Sequence, residues 1–463
     1  MKSERTLATE TSGKIGEEII LRGWVNTRRD HGKIVFIDLR DRSDLVQVVF
    51  TDAKKVKELR PGWVVEVRGV VKERPANLVN LKLPTGNVEV EAKELKILAK
   101  TAELPFPVDT EGRDINEEIR LKYRYLDLRR PRMIRNLRVR HQVIKFIRDY
   151  LNAKDFVEVE TPILTKATPE GARDFLVPSR LQPGCFYALP QSPQQYKQLL
   201  MIAGLERYFQ IARCFRDEDP RADRAYGEFT QLDIEISFTS REEVLSLVEN
   251  LYKAIIKEFF PEKKLTFSEF PRLIYDEVME KYGTDKPDLR RDKNDSNELA
   301  FCFIIDFPLF EWKETEHRWD AMHHPFTAPK EEDVSDLMAG KDIGSLKSYQ
   351  YDLVLNGYEI AGGSLRITDP EILTKVFEIM CHAKEEIEKK FGHLLKAFRY
   401  GIPPHGGIAP GLDRFLMILL GEPSLREVIA FPMTSSGQTA VMEAPTAVSE
   451  EQLKELSLKI AKK

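Results

Sequence analysis

Between residues 17 and 98 the chain repeats one pattern five times, a short β-branched run closed off by a turn. The runs cover residues 19–25, 34–40, 45–50, 63–71 and 88–92, with Gly23, Gly32, Gly62 and Gly86 at turns or strand ends. Most of them alternate apolar with polar residues, as strands with one buried face do. Five such strands in so short a stretch suit a small closed barrel of the OB type. A barrel of that kind can present one face to single-stranded nucleic acid, with aromatics stacking on bases and basic groups meeting phosphates.

The remainder needs a different architecture. At 463 residues the chain exceeds one ordinary core. A composition 42% hydrophobic and 32% charged fits a folded enzyme rather than a disordered chain. No apolar run approaches the roughly 20 residues that span a bilayer, so no membrane is expected. Met1-Lys2-Ser3-Glu4-Arg5 lacks a signal peptide's apolar stretch, which makes the cytoplasm the expected location. Residues 101–120, with Pro105, Pro107 and Gly112, read as a connection. A helix is predicted over 133–153, then a strand over 156–160 stopping at Thr161-Pro162. Mixed strand and helix patterns continue to Phe431, predicting an α+β domain on a mainly antiparallel sheet. The expected domains are a barrel at 1–104, a hinge at 105–130, and a sheet domain in two parts at 131–285 and 300–432. A short loop at 286–299 separates those parts, and 433–463 form a C-terminal extension.

Cys185, Cys214, Cys302 and Cys381 are scattered, which argues against a disulfide framework or a cysteine-built zinc site. The adjacent pair Cys381-His382 reads as helix packing. A net charge of −4 does not advertise a nucleic-acid binder, but a groove needs only a local excess. One occurs between Lys122 and Arg140, where Arg124, Arg129, Arg130, Arg132, Arg135 and Arg138 face Asp127 alone. Charge by itself leaves open whether this run is a solvated helix face or a phosphate contact.

Three stretches place polar residues where sheet core is expected. They are 191–198, rich in amides with one lysine; 215–235, with Phe215-Arg216-Asp217-Glu218 and Glu228-Phe229-Thr230-Gln231; and 404–415, rich in glycine. Nucleotide chemistry makes sense of the combination. Fixed guanidinium groups offset charge on phosphates, carboxylates hold a bridging magnesium, and Gly406, Gly407 and Gly411 would let the backbone approach a flat ligand.

In this order the residues resemble the class II aminoacyl-tRNA synthetases. The hairpin opened by Arg216 looks like their motif 2, Gly411-Leu412-Asp413-Arg414 like motif 3, and the helix–strand unit ending at Pro162 like motif 1. The run 161–180, Gln191-Ser192-Pro193-Gln194, residues 358–366 and residues 23–30 are similar to bacterial aspartyl-tRNA synthetases. That resemblance covers nearly the whole chain and implies formation of an aspartyl-adenylate from L-aspartate and ATP. Transfer to the 3′ end of tRNA(Asp) would follow, in a homodimer, with Mg2+ and without DNA as a partner.

The resemblance also implies roles. Arg216, Glu218 and Arg414 would be catalytic and grip ATP together with Phe229, which stacks on adenine, and with Gln231, Glu359 and Gly411. Asp352 and Glu359 would hold Mg2+. Lys197 and Arg366 would pair with the aspartate side chain, and Ser192, Gln194 and Asp233 would hold its ammonium. His323 and His324 would close the pocket, and Glu170 lies on a loop covering the substrate. In the barrel Arg28, His31, Phe36, Gln47, Arg74, Asn80 and Glu89 would read the anticodon. His31 further favours charging of tRNA(Asn), because family members strict for tRNA(Asp) tend to carry Leu there.

Two departures stand out. Tyr282 runs almost directly into Phe303, so the insertion domain usual in bacterial members is expected to be missing. The motif 2 loop carries Ala225-Tyr226-Gly227 where a shorter pair is common, which puts the acceptor-stem contact in question. The alternatives are an aspartate–ammonia ligase-like adenylating enzyme, disfavoured by the barrel, and a non-catalytic RNA-binding paralogue, disfavoured by Arg216, Glu359 and Arg414. A lysine or asparagine synthetase is disfavoured by Lys197 with Arg366.

Overall fold

The computed structural model describes residues 4–167, 172–218 and 226–461. The chain divides into two compact units, Met1–Arg132 and Met133–Lys463.

In the first unit β1 (Glu18–His31), β2 (Ile34–Arg40), β3 (Leu45–Phe50), β4 (Val64–Glu73) and β5 (Val88–Ala99) close into the expected five-stranded barrel. Closure depends on β1 pairing antiparallel with both β2 and β4, and on a parallel match of Val48 with Val90 between β3 and β5. Leu21, Val35, Ile37, Leu39, Val48, Val65, Val67 and Val90 fill the interior. Burying each such side chain is worth about 1.5–3 kcal/mol over leaving it exposed. β1 runs beyond residue 25 because its polar continuation still pairs with β2, as far as His31 opposite Ile34.

Part of the basic run has a structural use that neither sequence reading anticipated. Arg120 Nε, Arg124 Nη1 and Arg130 Nε donate to the Asp127 carboxylate at 3.0, 2.9 and 2.7 Å, and all four groups are buried. Burial acts upward on the Asp127 carboxyl, but the arginine hydrogen bonds prevail and hold it below its usual range.

The second unit is built on an eight-stranded sheet. In chain order its strands are β6 (Val157–Glu158), β7 (Arg207–Arg216), β8 (Gly227–Ser237), β9 (Arg272–Ile274), β10 (Phe301–Ile305), β11 (Gln350–Leu355), β12 (Tyr358–Leu365) and β13 (His405–Pro410). Across the sheet they lie β9-β10-β11-β12-β13-β8-β7-β6. Pairing is antiparallel except at the two edges, where β9 joins β10 and β6 joins β7 in parallel. The strand predicted over 156–160 is therefore only a short edge.

Helix α1 (Pro131–Asn152) begins at a proline, whose missing N–H costs nothing at a helix start. With α2 (Gln194–Ile202), α3 (Arg241–Phe259), α4 (Pro370–Ile379), α5 (Lys384–Phe398) and α6 (Leu412–Leu419) it flanks the sheet. Val143 and Ile147 of α1, Val248, Leu251 and Tyr252 of α3, and Phe415 of α6 pack on Phe209, Leu232, Ile234, Tyr351 and Ile408, sealing one face. Side chains alternate across a strand, so the residues between those apolar positions emerge on the opposite face. That face carries the polar groups. Cys381 and His382 fall in the turn after α4 rather than within a helix, with Cys381 exposed and His382 edge-on to Phe377. No described helix is long and apolar enough to cross a membrane.

Candidate active site

On β8, Leu232 and Ile234 face the helical core, so Phe229, Gln231, Asp233 and Glu235 project the other way. The first three form one wall of a cavity of about 300 Å3, and Glu235 lies buried beneath it. Arg216 enters from β7, Ser192, Gln194 and Lys197 from the start of α2, Glu359 and Gly362 from β12, and Gly411 and Arg414 from the start of α6. Glu218, His323, His324 and Arg366 also line it. The expected catalytic, ATP and amino-acid residues thus converge from distant parts of the chain. Glu170 lies outside the described residues.

The floor is charged and buried. Lys197 Nζ stands 2.7 Å from Asp233 and 3.2 Å from Glu235. Arg366 donates through Nε and Nη2 to the two Glu235 oxygens at 2.8 and 3.1 Å. Its Nη1 donates to Ser364 Oγ at 2.6 Å and to His324 Nε2 at 2.7 Å. A guanidinium only donates, so that His324 nitrogen carries no proton and the ring is neutral. Burial first, then His323, Arg366 and Lys197, push His324 well below its ordinary range. His323 falls to about 3, through burial and then Arg366, Lys197 and Arg216.

Three buried polar atoms in this cavity have no hydrogen-bond partner among the described residues: Gln194 Nε2, Asp233 Oδ2 and Arg216 Nε. Leaving such groups unpaired costs about 1–3 kcal/mol each, more when charged. Two donors and an acceptor so placed suit a ligand carrying both signs of charge. Burial raises the Asp233 carboxyl, and Glu235 adds to the effect against Lys197.

Asp352 is not part of the lining but lies buried beside Gly362, with its carboxyl well above its ordinary range through burial and then the neighbouring Glu359 charge. A buried carboxyl raised in this way by a neighbouring carboxylate fits a cation. Among the described residues no set of three His, Cys, Asp or Glu forms a metal cage. Two carboxylates are what Mg2+ needs when substrate phosphates complete its shell.

Some residues sit differently from expectation. The Arg216 guanidinium lies over the Phe229 ring, 5.1 Å from its centre. Arg414 Nη1 donates to the Glu359 carbonyl. Gly406 and Gly407 serve strand packing rather than ligand approach. A Cβ on Gly407 would stand 2.1 Å from the Ile234 carbonyl and from Glu235 Oε2, and one on Gly406 would stand 2.6 Å from Leu365. Gly411 does line the cavity.

Sequence reading left Glu235 and Arg140 without roles. Glu235 was visible as the residue two beyond Asp233 on one strand, hence on the same face. Arg140 was hidden in the basic run. Its Nη1 meets Asp413 at 2.5 Å and its Nη2 meets Thr230 at 3.0 Å, while Asp413 accepts from the Thr230 N–H at 2.8 Å. One arginine on α1 therefore ties β8 to α6.

In the barrel Phe36 projects away from the core that holds Val35 and Ile37. His31 meets it edge-on at 5.6 Å. Gln47 donates to Glu89 at 2.8 Å, and buried Arg74 lies 3.9 Å from Glu89. Arg28 does not join this group. It pairs in register with core residue Ile37, and its guanidinium donates to the carbonyls of Val56, Lys57 and Leu59. Arg29, opposite Phe36, takes the outward place, donating to Asp38 at 2.7 and 2.8 Å and to Gln47 at 3.2 Å. Asn80 forms a turn, its side chain accepting from the Lys82 N–H.

Comparison with known proteins places these features together. The family of class II tRNA synthetases (D, K and N) matches residues 116–435, and the OB-fold nucleic acid binding domain matches 19–98. An Aspartate--tRNA(Asp/Asn) ligase of Rubrobacter xylanophilus is 43% identical, covering 98% of this chain and 97% of that protein. One of Dehalococcoides mccartyi is 40% identical, covering 97% and 98%. Those alignments run over 585 and 589 positions against 463 residues here, so the relatives carry sequence without a counterpart in this chain. Among solved structures, asparaginyl-tRNA synthetase from Pyrococcus horikoshii with asparaginyl-adenylate has a TM-score of 0.73 at 24% identity, covering 93% of this chain and 98% of its own. Aspartyl tRNA synthetase from Entamoeba histolytica has 0.71 at 23%, covering 93% and 91%. At those identities the shared property is the fold.

Proposed function

The chain belongs to the class II tRNA synthetases, among the aspartate–tRNA ligases, and from that premise we propose how its cavity works and which tRNAs it serves. The enzyme activates L-aspartate with ATP and transfers it to tRNA. The observation that carries the residue assignment is the buried Lys197–Arg366 pair on the cavity floor.

The substrate's side-chain carboxylate lies against Lys197 and Arg366, and its ammonium takes the open Asp233 oxygen with Gln194 and Ser192 nearby. That placement leaves the α-carboxylate facing Arg216. Its oxygen attacks the α-phosphorus of ATP, a phosphorus–oxygen bond breaks, and pyrophosphate leaves with the electron pair. Arg216 and Arg414 offset the phosphate charge, moving from their resting contacts with Phe229 and the Glu359 carbonyl, while Phe229 is freed to stack on adenine. Asp352 and Glu359, with Gln231 and Glu218 nearby, would hold Mg2+, which supplies further charge compensation. A ribose hydroxyl of the tRNA end then attacks the activated carbonyl and AMP departs. No side chain forms a covalent intermediate; positioning and fixed charge suffice.

In the barrel, Phe36 stacks on a splayed base while Gln47, Glu89 and Arg74 contact base edges and phosphate. His31, against Phe36, supports charging of tRNA(Asn) as well as tRNA(Asp), and Arg28 braces the loop behind them. A homodimer is supported by apolar side chains standing exposed within 157–187: Val157, Leu164, Leu176, Leu181 and Phe186. The segment 286–299 replaces the larger insertion of relatives, and the reading sets the enzyme in the cytoplasm.

Aminoacylation of purified tRNA(Asp) and tRNA(Asn) with labelled aspartate tests the tRNA range. Charging of both is expected. Charging of tRNA(Asp) alone would withdraw the reading of His31, and charging of neither would withdraw the transfer step.

A further inference from the structure

We propose that Glu235 is a positioning residue for substrate selection: its carboxylate joins Lys197 to Arg366 and aims both cations at the substrate's side chain. The proposal rests on the reading of those two residues as the aspartate pair.

Glu235 is fully buried and spans both cations, with Oε1 on Arg366 Nε at 2.8 Å and Oε2 on Lys197 Nζ at 3.2 Å. Occupying the Nε and Nη2 edge of Arg366 fixes the plane of the guanidinium, because that fork is rigid. Among the described residues Ser364 and neutral His324 accept from Nη1, which leaves the second Nη2 hydrogen as the donor for a substrate. The fold reserves space for this carboxylate, since any side chain on Gly407 would overlap it. His405 stands 4.0 Å away but is not a third cation. Its Nδ1 donates to the Pro403 carbonyl at 2.9 Å, which leaves Nε2 to accept from Gln198 at 3.3 Å. Against burial, Arg366 and Lys197 hold the Glu235 carboxyl at about 2, so it remains ionised throughout the working range.

Charge counting shows why this matters. Lys197 and Arg366 are balanced by Asp233 and Glu235, so the empty floor is neutral. Bound aspartate adds its ammonium beside Asp233 and its side-chain carboxylate beside the cations, and balance is kept. With glutamine at 235 the cations exceed the anions by one in a buried site. An arginine does not release its proton, so the strain is relieved at the Lys197 ammonium. The other groups around that ammonium do not substitute for Glu235. His323, His324 and His405 are neutral, the Tyr208 phenol keeps its proton, and Asp233 is committed to the substrate.

The test is ATP–pyrophosphate exchange by the full-length enzyme, measuring KM for aspartate and for ATP between pH 6.5 and 9 (~0.5-unit steps, set by the titration range). Glu235→Gln is expected to raise the aspartate KM about a hundredfold, leave the ATP KM within about twofold, and make aspartate binding weaken as pH rises. Glu235→Asp, which keeps the charge but shortens its reach, is expected to raise the aspartate KM about tenfold without the pH dependence. An aspartate KM within twofold of wild type in either variant overturns the proposal. So does a loss in Glu235→Gln that is flat with pH, the mark of a merely structural role. If thermal melting shows that the glutamine variant does not fold, the aspartate variant decides by the same KM criterion. Absence of aspartate-dependent exchange in the wild type would instead overturn the underlying reading, and the proposal with it.

Discussion

The barrel and the sheet cavity both bring charged residues together, but they treat those charges in opposite ways. Around Phe36 the polar groups satisfy one another, Arg29 with Asp38 and Gln47 with Glu89, on a partly exposed surface. In the cavity Lys197, Arg366, Asp233 and Glu235 are buried, and Asp233, Gln194 and Arg216 each keep an atom unpaired. Water screens the first set and has little access to the second. A surface reader can exchange its partners for a base at little cost. A buried set pays for its desolvation in advance and recovers stabilisation only when a ligand of the right charge arrives.

That contrast predicts graded effects. Arg216→Ala should be largest, lowering aspartate-dependent exchange about a thousandfold in kcat with little change in melting temperature, because one preorganised charge is lost where charge develops. Exchange within tenfold of wild type would break the contrast on the cavity side.

Next is the buried hub of the barrel unit. Asp127→Asn should lower stability by about 3 kcal/mol, since three buried arginines lose their common carboxylate. The Asp127 carboxyl is depressed in the folded state, so its contribution is present above its unfolded pKa, near 4, and is lost as pH falls through the folded value. Urea unfolding midpoints measured from pH 6 down to 2 (~1-unit steps) should fall steeply in wild type and less in the variant. Parallel curves would show that the hub is not what acid attacks.

Phe36→Ala should leave exchange unchanged and weaken tRNA charging by about tenfold to a hundredfold in kcat/KM, the range for losing one stacked base. If exchange falls as well, the two units are not functionally separable. The smallest effect belongs to Arg22→Gln, which breaks an exposed pair with Glu66. Neither melting nor charging should change measurably.

Much of this was legible in the sequence for a specific reason. Barrel strands declare themselves through alternation, and the cavity residues through polar side chains at positions where a sheet needs apolar ones. Partnership was not legible. The sequence marked Lys197 and Arg366 as two positive charges awaiting a substrate, whereas the structure shows each already paired with Glu235. Arg124, Arg130 and Arg140 look alike along the chain, but two fold onto Asp127 and one onto Asp413. Which carboxylate an arginine finds is set by long-range packing, and local pattern carries no record of it. The same limit applies to Arg28 and Arg29, where one step in register decides which faces outward.

The central claim is that the sheet cavity by itself selects aspartate and activates it. ATP–pyrophosphate exchange without tRNA, comparing aspartate, asparagine and lysine, tests it most directly. The account predicts rapid exchange with aspartate, and with asparagine a kcat/KM lower by about a thousandfold or more, because an amide leaves the buried cations unpaired. Equal exchange with asparagine, or none with any amino acid, would contradict it.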